Sequence, residues 1–531
     1  MNSIGIQPVI QDSKLQAAVS RIMQRSERQT DIAKLVNTYV DVGLLPQLHN
    51  RNHQIFYGRR GTGKTHVMKV LERAFLEDQS LTVVYIDCRT LGSTTQFSDQ
   101  SLPMGRRCLA LYRDFLLAIH HALIEYIIEV PSEQALEALE AADQLATIVT
   151  EPLTELRASR LETDASEATF SHKNAKGAVV ARTDVPNVQI EAVASETRER
   201  TGRQSAEYAV ETEDKIVFPE LHRHLHRVLR LANTNLIILV DEWSSLPADV
   251  QPYLAEFLKR GVLPLNEATI KISALEYRCK FSEHSENGLI GFELGADIAT
   301  APDLDDYFVF DRNPEQITDV YADVLYRHLA SELDKGYLEK NYNVNSGRQL
   351  ASRLFTERAT CAELARACEG VVRDLINIFT KSFFDSQRRG RDSIDKSAVV
   401  DSSRQWFEQD KAQYLDNELQ KVLRKIVDDV IGKRRARSFL LPRELERNPV
   451  VQRLFDARVI HHMQRGYADK DNPGVRYNIY SIDYGTYVDL LGTSREPELD
   501  LIERDEPDIV VPFDDKRSIR RIIFHRELLE D

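Results

Sequence analysis

Short runs of consecutive hydrophobic residues alternate with longer segments of helical periodicity between residues 51 and 312. The runs are QIFY (54–57), LTVVYI (81–86), LIILV (236–240) and ATIKISAL (268–275). Because strands covered on both faces lose the alternation of polar and apolar positions, these runs predict the buried strands of a parallel sheet. Residues 64–78 and 105–130 carry apolar positions at helical spacing. The pattern therefore predicts an α/β core.

The hydrophobic pattern is purely helical over residues 313–408 and changes again at residue 414. A first helix is marked by Leu415, Leu419, Val422 and Leu423, and a basic turn follows it. The segments PRELERN and PVVQRLFDARV predict a second and a third helix, and two strand-like segments then flank DKDNPG. Asn-Pro-Gly is strong turn chemistry. This order predicts a helical lid and then a winged helix over 414–492. Residues 1–50 form an N-terminal helical segment, and 493–531 an acidic linker with a tail that docks back as a strand and a helix.

Residues of about 131–215 interrupt the core as a long insertion. Residues 132–160 are rich in Ala, Leu and Glu and predict an acidic helix, whereas residues 161–214 are polar and short of aromatic residues. Such a composition is typical of a segment that is disordered or that folds with a partner. Within it, GAVVARTDVPNVQIEAV predicts a β-hairpin around Asp184-Val185-Pro186.

Composition narrows the class of protein. A chain of 531 residues is too long for one core, and its 42% hydrophobic and 29% charged residues are ordinary for a globular protein. No apolar run reaches membrane-spanning length, no export signal is visible, and the five scattered cysteines indicate reduced thiols, so we expect a cytoplasmic protein with no membrane partner. The net charge of −14 argues against a chain coated in nucleic acid but permits a local basic patch.

The candidate chemistry begins at the pattern Gly58-x4-Gly63-Lys64-Thr65, between the first predicted strand and the helix that follows it. Glycines allow the tight turn that points backbone N–H groups at phosphate oxygens, and the helix N-terminus adds its positive dipole end. Lys64 would contact the β- and γ-phosphates and Thr65 would ligate Mg²⁺. The predicted nucleotide contacts are Gly58, Arg59, Arg60, Gly61, Thr62, Gly63, Lys64, Thr65 and His66.

A second motif supplies the carboxylates that phosphoryl transfer needs. Asp241 and Glu242 follow the run LIILV, at the carboxyl end of a predicted strand, where open α/β sheets bind their ligands. Asp241 would hold Mg²⁺ together with Thr65, and Glu242 would polarise the attacking water as general base. The two motifs together predict hydrolysis of ATP with Mg²⁺.

These motifs resemble the Walker A and Walker B boxes of AAA+ ATPases, and a third motif resembles one clade of them. In CEGVVRDLINIFTKSFFDSQRRGRDSIDKSAVV (368–400), Gly370 and Arg373 match the sensor-2 motif in the lid of initiator-type, origin-recognition ATPases. The resemblance implies that Arg373 reaches the γ-phosphate from the lid and acts in catalysis with Lys64 and Glu242. A planar guanidinium is suited to gripping phosphate oxygens.

The sequence leaves two further site residues undecided, the sensor-1 residue and the arginine finger. The sensor-1 candidates near the end of the strand at 268–275 are Ser273, Glu276 and Arg278, and Arg278 resembles an arginine that STAND signalling ATPases place here, so we include it among the catalytic candidates. Arg260, at the end of the preceding helix, is either an arginine finger for a neighbouring subunit in an oligomer or a helix-terminal cation.

Three functions are compatible with these motifs. The first is an ATPase coupled to double-stranded DNA, with Arg443, Arg447 and Arg453 on or near the recognition helix and Lys433 to Arg437 on phosphates. The second is a STAND-like sensor of a bacterial antiviral defence system that acts with a partner protein or effector. The third is a nucleotide-bound scaffold, against which the intact Lys64, Thr65, Asp241 and Glu242 weigh.

Overall fold

The computed structural model describes most of the chain. The described residues are 8–23, 29, 31–92, 95–130, 132–150, 153–161, 178–180, 207–286, 288–433, 436–468, 476–486, 488–489 and 523–529. Within them, no helix is both long and apolar enough to cross a membrane.

The chain enters the core through three short helices and then the first strand–helix units. The helices are α1 (Ser13–Arg21), α2 (Ile32–Thr38) and α3 (Leu45–Leu48). They are followed by β1 (Gln54–Tyr57), α4 (Lys64–Phe75), β2 (Leu81–Asp87) and α5 (Met104–Glu129). One face of α4 is buried, as its apolar spacing predicts.

The insertion starts as a helix and continues as a small sheet. Its elements are α6 (Ala135–Thr150), β3 (Leu153–Leu161), β4 (Ala178–Val180) and β5 (Glu207–Lys215), with β3 paired antiparallel to both β4 and β5. The predicted helix over 132–160 is therefore wrong beyond Thr150, because Leu153–Leu161 pairs with a strand some 50 residues away. The predicted hairpin around residues 184–186 lies outside the described residues.

The second half of the core completes a five-stranded parallel sheet. It contains α7 (Phe218–Leu231), β6 (Asn235–Asp241), α8 (Gln251–Gly261), β7 (Ala268–Ala274), a hairpin of β8 (Ser282–Ser285) and β9 (Gly288–Gly291), and the short β10 (Ala299–Thr300). The sheet order is β10-β1-β7-β6-β2. Since all five strands are parallel, the ends of β1, β6 and β7 meet at one edge. The predicted α/β core with a parallel sheet is confirmed.

The lid is helical and also carries the N-terminal segment. Its helices are α9 (Pro314–Ser331), α10 (Tyr337–Tyr342), α11 (Gly347–Leu354), α12 (Arg358–Ala367), α13 (Val372–Arg388) and α14 (Lys396–Trp406). Leu15 and Val19 of α1 share their hydrophobic core. Asp12 accepts hydrogen bonds from the Tyr337 and Tyr342 hydroxyls at 2.7 and 2.6 Å. The N-terminal segment therefore packs on the lid.

The last folded region has the element order and strand pairing of a winged helix. It contains α15 (Asn417–Val427), β11 (Ser438–Pro442), α16 (Pro449–Asp456), β12 (Ile460–Ala468) and β13 (Arg476–Ile482), with sheet order β11-β13-β12. The sequence did not reveal β11, and PRELERN forms a 3-10 helix over Arg443–Arg447. Of the tail, Ile523 bridges to Leu440 and Phe524 is buried in this core.

Candidate nucleotide-binding site

The loop between β1 and α4 has the backbone that a phosphate cradle needs. Gly61 and Gly63 adopt positive φ angles of 85° and 106°, and Gly63 is the N-cap of α4. A Cβ atom built on Gly63 would meet nothing within 4 Å. The cradle is therefore open at the start of the helix, where backbone N–H groups and the helix dipole favour an anion.

Lys64 is buried at this N-terminus. Its Nζ donates a hydrogen bond to the Arg59 carbonyl at 3.0 Å. Burial lowers the pKa of Lys64, and the nearby carboxylates of Glu242 and Asp241 oppose that shift. The Lys64 ammonium is hydrogen-bonded to a neutral carbonyl. It can exchange this partner for charged phosphate oxygens, which compensate its positive charge better than a carbonyl does.

Asp241 ends β6 as a fully buried carboxylate with donors on both oxygens. Its Oδ1 accepts from the Ser273 hydroxyl and from the Glu242 backbone N–H at 2.9 Å, and its Oδ2 accepts from the Tyr85 hydroxyl at 2.7 Å. Of the three sensor-1 candidates, the structure places Ser273 on the Asp241 carboxylate. Tyr85 was not predicted, because a tyrosine in a hydrophobic run is indistinguishable from a core residue.

Glu242 has a left-handed backbone, with φ 56° and ψ 40°. For a residue other than glycine this conformation costs on the order of 1–3 kcal/mol, and such strain concentrates at functional sites. The surrounding structure maintains it, since the Glu242 N–H is held by Asp241 and the preceding β6 is paired on both sides.

The oxygens present here suit Mg²⁺ and a nucleotide. Thr65 is the second residue of the cradle helix α4 and Asp241 lies at the end of β6, and both are buried. Within the described part of the chain, no group of three or more His, Cys, Asp and Glu side chains forms a metal cluster. Mg²⁺ commonly uses one or two protein oxygens together with substrate phosphates and water, so this donor set fits it.

Arg59 connects the cradle to three other parts of the molecule. Its Nε donates to Asp305 at 2.9 Å, one Nη donates to the Glu369 carbonyl at 2.7 Å, and the other contacts His461 Nδ1. The guanidinium is buried, so it is occupied by protein groups. The Arg59 backbone N–H is also held by the two Asp305 oxygens, at 3.2 and 3.1 Å, so the nucleotide contact predicted for Arg59 stays a prediction.

The remaining predicted cradle residues differ in their surroundings. Arg60 is exposed, and Gly58 and Thr62 are buried, with the Thr62 hydroxyl donating to the Arg59 carbonyl at 2.8 Å. His66 is held by the N-terminal segment, with Nε2 2.6 Å from the Leu35 carbonyl. Burial lowers the pKa of His66. Its ring therefore anchors residues 32–38 over α4.

The lid contacts the cradle through the predicted sensor-2 motif. The Arg373 backbone N–H donates to the Gly61 carbonyl at 3.0 Å. A Cβ atom on Gly61 would come within 3.0 Å of both Arg373 and Val371, so only glycine fits this close approach. Gly370, at φ 84°, lies against the Arg59 guanidinium. The structure thus brings Arg373 next to the cradle that holds Lys64.

The winged helix also docks here, and it engages Arg278. The Arg278 Nε donates to Asp456 of α16 at 2.5 Å, and the neighbouring Tyr277 hydroxyl lies 2.8 Å from the Tyr480 hydroxyl. Arg465 of β12 pairs with Glu276 at 2.8 Å and with Asp303 at 2.7 Å. Arg278 and Glu276 therefore hold the winged helix, whereas the catalytic role predicted for Arg278 stays a prediction.

Below this contact lies a buried ionic network that the sequence did not reveal. Asp374 of α13 pairs with Lys411 at 2.9 Å and with Arg458 at 2.6 Å, and Lys411 also pairs with Asp483 at 2.6 Å. Burial and the Arg59 charge lower the pKa of His461 to about 3, so its neutral ring accepts from Arg59 and donates to Asp483 at 2.9 Å. The network joins lid, cradle and winged helix.

The arginines predicted to meet DNA fall into two groups. Arg443, Arg447 and Arg453 are exposed, and Arg453 pairs with Asp416. Arg437 is instead largely covered and pairs with Glu369 of the lid, so the phosphate contact predicted for it stays a prediction. The basic turn residues 434 and 435 lie outside the described residues.

Comparison with known proteins gives one family and several remote structural neighbours. A family model described as ORC-CDC6-like matches residues 25–346, which is more than half of the chain. No curated protein matches.

Three solved structures illustrate the remote likeness. Cdc6p from Pyrobaculum aerophilum shares 11% identity at a TM-score of 0.31, covering 90% of this chain and 98% of its own. The ORC1 protein of Aeropyrum pernix, solved in complex with DNA, shares 13% sequence identity at a TM-score of 0.29. The match covers 92% of this chain and 98% of that protein. A point variant of Thermotoga maritima RuvB shares 10% sequence identity at a TM-score of 0.23, and the match covers 54% of this chain and 84% of that protein. We draw no argument from superpositions this weak.

Proposed function

The chain belongs to the ORC-CDC6-like family and is an AAA+ P-loop ATPase, and from this premise we propose that its ATP state controls whether the winged helix stays docked on the nucleotide-binding loop. When it is no longer docked, the winged helix becomes accessible to DNA or to a partner protein. The observation that carries the proposal is that Arg59 belongs to the cradle and also contacts His461 of the winged helix.

The hydrolytic roles follow from the arrangement of the site. Lys64 exchanges its carbonyl partner for phosphate oxygens, and the Gly61–Gly63 backbone supplies N–H donors. Glu242, held next to Asp241, orients and deprotonates the attacking water. Thr65 and Asp241 would hold Mg²⁺, which would neutralise charge on the phosphates. Arg373 approaches from the lid.

Binding of a nucleotide is coupled to docking through side chains common to both. Any movement of the cradle onto phosphates shifts Arg59, whose guanidinium is held by Asp305, Glu369 and His461. His461 is in turn bonded to Asp483 of the winged helix. An unpaired polar group in a buried network is costly, so a shift that breaks one of these bonds weakens the docking of the winged helix.

Double-stranded DNA is the partner that we propose first. Arg443, Arg447 and Arg453 are exposed at the 3-10 helix and α16 of the winged helix. With a net charge of −14, such binding depends on this local patch and therefore on salt. Arg465 would join the patch on release from Glu276 and Asp303.

The sensor of an antiviral defence system, with a separate effector, gains no support from the contacts of Arg278, which pairs with Asp456. That function stays a prediction from sequence. The arginine-finger role of Arg260 has the same standing, since its guanidinium pairs with Glu256 at 2.6 Å within α8. Oligomer formation is likewise a prediction.

The test is ATP turnover by the wild type and by Glu242→Gln, with and without duplex DNA, at low and high salt. We expect DNA to stimulate the wild type, less so at high salt, and Glu242→Gln to lose about 10²–10⁴-fold in turnover while it still binds ATP. Lys64→Ala serves as the variant that loses binding itself. Stimulation absent at both salts would reject DNA as the partner, and wild-type turnover in Glu242→Gln would reject the assigned base.

A further inference from the structure

The Asp241 carboxylate is held by three donors, and one of them comes from a strand that no nucleotide motif includes. Tyr85 lies on β2, whose residues pair in parallel with β6 up to the Asp87–Asp241 position. This register places the Tyr85 ring beside the last residue of β6, and its hydroxyl donates to Asp241 Oδ2 at 2.7 Å. A carboxylate has about four acceptor positions. The three donors therefore fix its plane and leave one position for a further ligand.

A cation lies over the ring of the same tyrosine. Lys69 of α4 places its Nζ 3.2 Å from the centroid of the Tyr85 ring, and that ammonium is held by Glu72 at 2.9 Å. Attraction between the ammonium and the ring holds the Tyr85 ring in place. Both Lys69 and Thr65 belong to α4, so the helix that opens the cradle also supports the carboxylate opposite it.

We propose that Tyr85 is a positioning residue for the metal-side carboxylate, with Lys69 acting through it. The hydroxyl of Tyr85 holds Asp241 in one orientation, so that its remaining acceptor position serves Mg²⁺ or a Mg²⁺-bound water. Groups that orient a metal ligand from behind typically contribute about 10–100-fold in metal affinity or activity. The inference rests on the proposed role of Asp241, and the experiment separates the two.

The experiment measures Mg²⁺-dependent nucleotide binding by a fluorescent ATP analogue, and turnover beside it, in Tyr85→Phe. This variant keeps the ring under Lys69 and removes only the hydroxyl. We expect the half-saturating Mg²⁺ concentration to rise about 10-fold. Nucleotide affinity in excess chelator should stay unchanged, and at saturating Mg²⁺ the KM for ATP should also stay unchanged. Tyr126→Phe is the matched control, because it loses one hydroxyl bond to the Gln79 carbonyl far from the site.

Two further variants complete the design. Lys69→Met removes the cation but keeps most of the side-chain volume, and should shift the Mg²⁺ dependence in the same direction by a smaller factor. Asp241→Asn should remove the Mg²⁺ dependence of binding. If Asp241→Asn retains that dependence, the site assignment itself fails.

If Asp241→Asn loses the Mg²⁺ dependence while Tyr85→Phe keeps the wild-type half-saturation, the positioning role is rejected. A fall in turnover at unchanged Mg²⁺ half-saturation would mean that Tyr85 is only structural, and it rejects the role too. Should Tyr85→Phe fold poorly, Lys69→Met decides, since an unshifted Mg²⁺ dependence there contradicts the proposal.

Discussion

Lys271 is a buried cation in the middle of the central sheet, away from the nucleotide site. Its ammonium donates to the Asn50 side chain at 3.0 Å and to the Asn52 carbonyl at 2.8 Å, and it contacts Gln54. All three partners are neutral. Burial therefore lowers the pKa of Lys271 to about 7, because hydrogen bonds to neutral groups do not compensate the lost hydration of a charge.

The first prediction concerns the pH dependence of stability. Between pH 7 and about 10, the unfolded chain holds a proton on Lys271 that the folded chain has lost, so the free energy of unfolding rises with pH. We expect wild-type protein to gain about 1–2 kcal/mol between about pH 7.5 and 9 relative to Lys271→Met, measured by urea unfolding. Equal slopes in the two proteins would show that Lys271 titrates as it does in water.

At the scale of elements, α13 is the helix that joins the lid to both neighbours. Its first turn lies on the cradle through Arg373, and the next residue, Asp374, holds Lys411 and Arg458. Although burial opposes it, the charges of Arg458 and Lys411 lower the pKa of Asp374. The carboxylate is thus ionised in the folded state, and its removal would take one of two carboxylate partners from each cation, leaving Asp483 to Lys411 and Asp410 to Arg458.

We therefore predict that Asp374→Asn lowers the free energy of unfolding by about 3–5 kcal/mol, because two buried cations each lose a charge-assisted hydrogen bond. Asp319→Asn is the matched control, since Asp319 pairs with Arg348 and Arg358 at the exposed end of the lid. That change should cost less than about 1 kcal/mol. Chemical denaturation of both variants measures the difference, and similar losses would contradict a supporting role for the network.

For the whole molecule, the arrangement of the winged helix on the core is the property with functional consequence. Core residues Glu276 and Tyr277 contact it through Arg465, Phe455 and Tyr480. Changing these two leaves the winged helix itself intact. They are therefore the positions at which docking can be weakened without altering the surface proposed to bind DNA.

We predict that the pair Glu276→Gln and Tyr277→Ala increases hydrogen exchange in α16 and increases the radius of gyration in solution scattering. Because Arg465 then has Asp303 alone as its carboxylate partner in the core, weaker docking exposes it. Affinity for a labelled DNA duplex should therefore rise at low salt, about 10-fold, and the gain should shrink as salt increases. Glu283→Gln, at an exposed position of β8, is the control. Unchanged exchange in α16 would show that these contacts do not hold the winged helix in place.

The sequence by itself determined what depends on neighbours close along the chain. The cradle from Gly58 to Thr65, the Asp241–Glu242 pair and the buried runs of the sheet are all local, because their chemistry and periodicity are set by residues a few positions apart. The Asn-Pro-Gly turn and flanking strands likewise indicated the winged helix. The error over Leu153–Leu161 arose where local composition favoured a helix and a distant strand decided otherwise.

Only the tertiary structure decided which residues complete the site. Ser273 and Tyr85 reach Asp241 from separate strands, Arg278 turns to Asp456, and Arg59 meets His461 across 402 positions of sequence. Such contacts depend on strand order and on domain packing, which no local pattern records. The identity of a side chain shows which bonds it can make, but the partner is set by the three-dimensional arrangement that brings distant segments within hydrogen-bond distance.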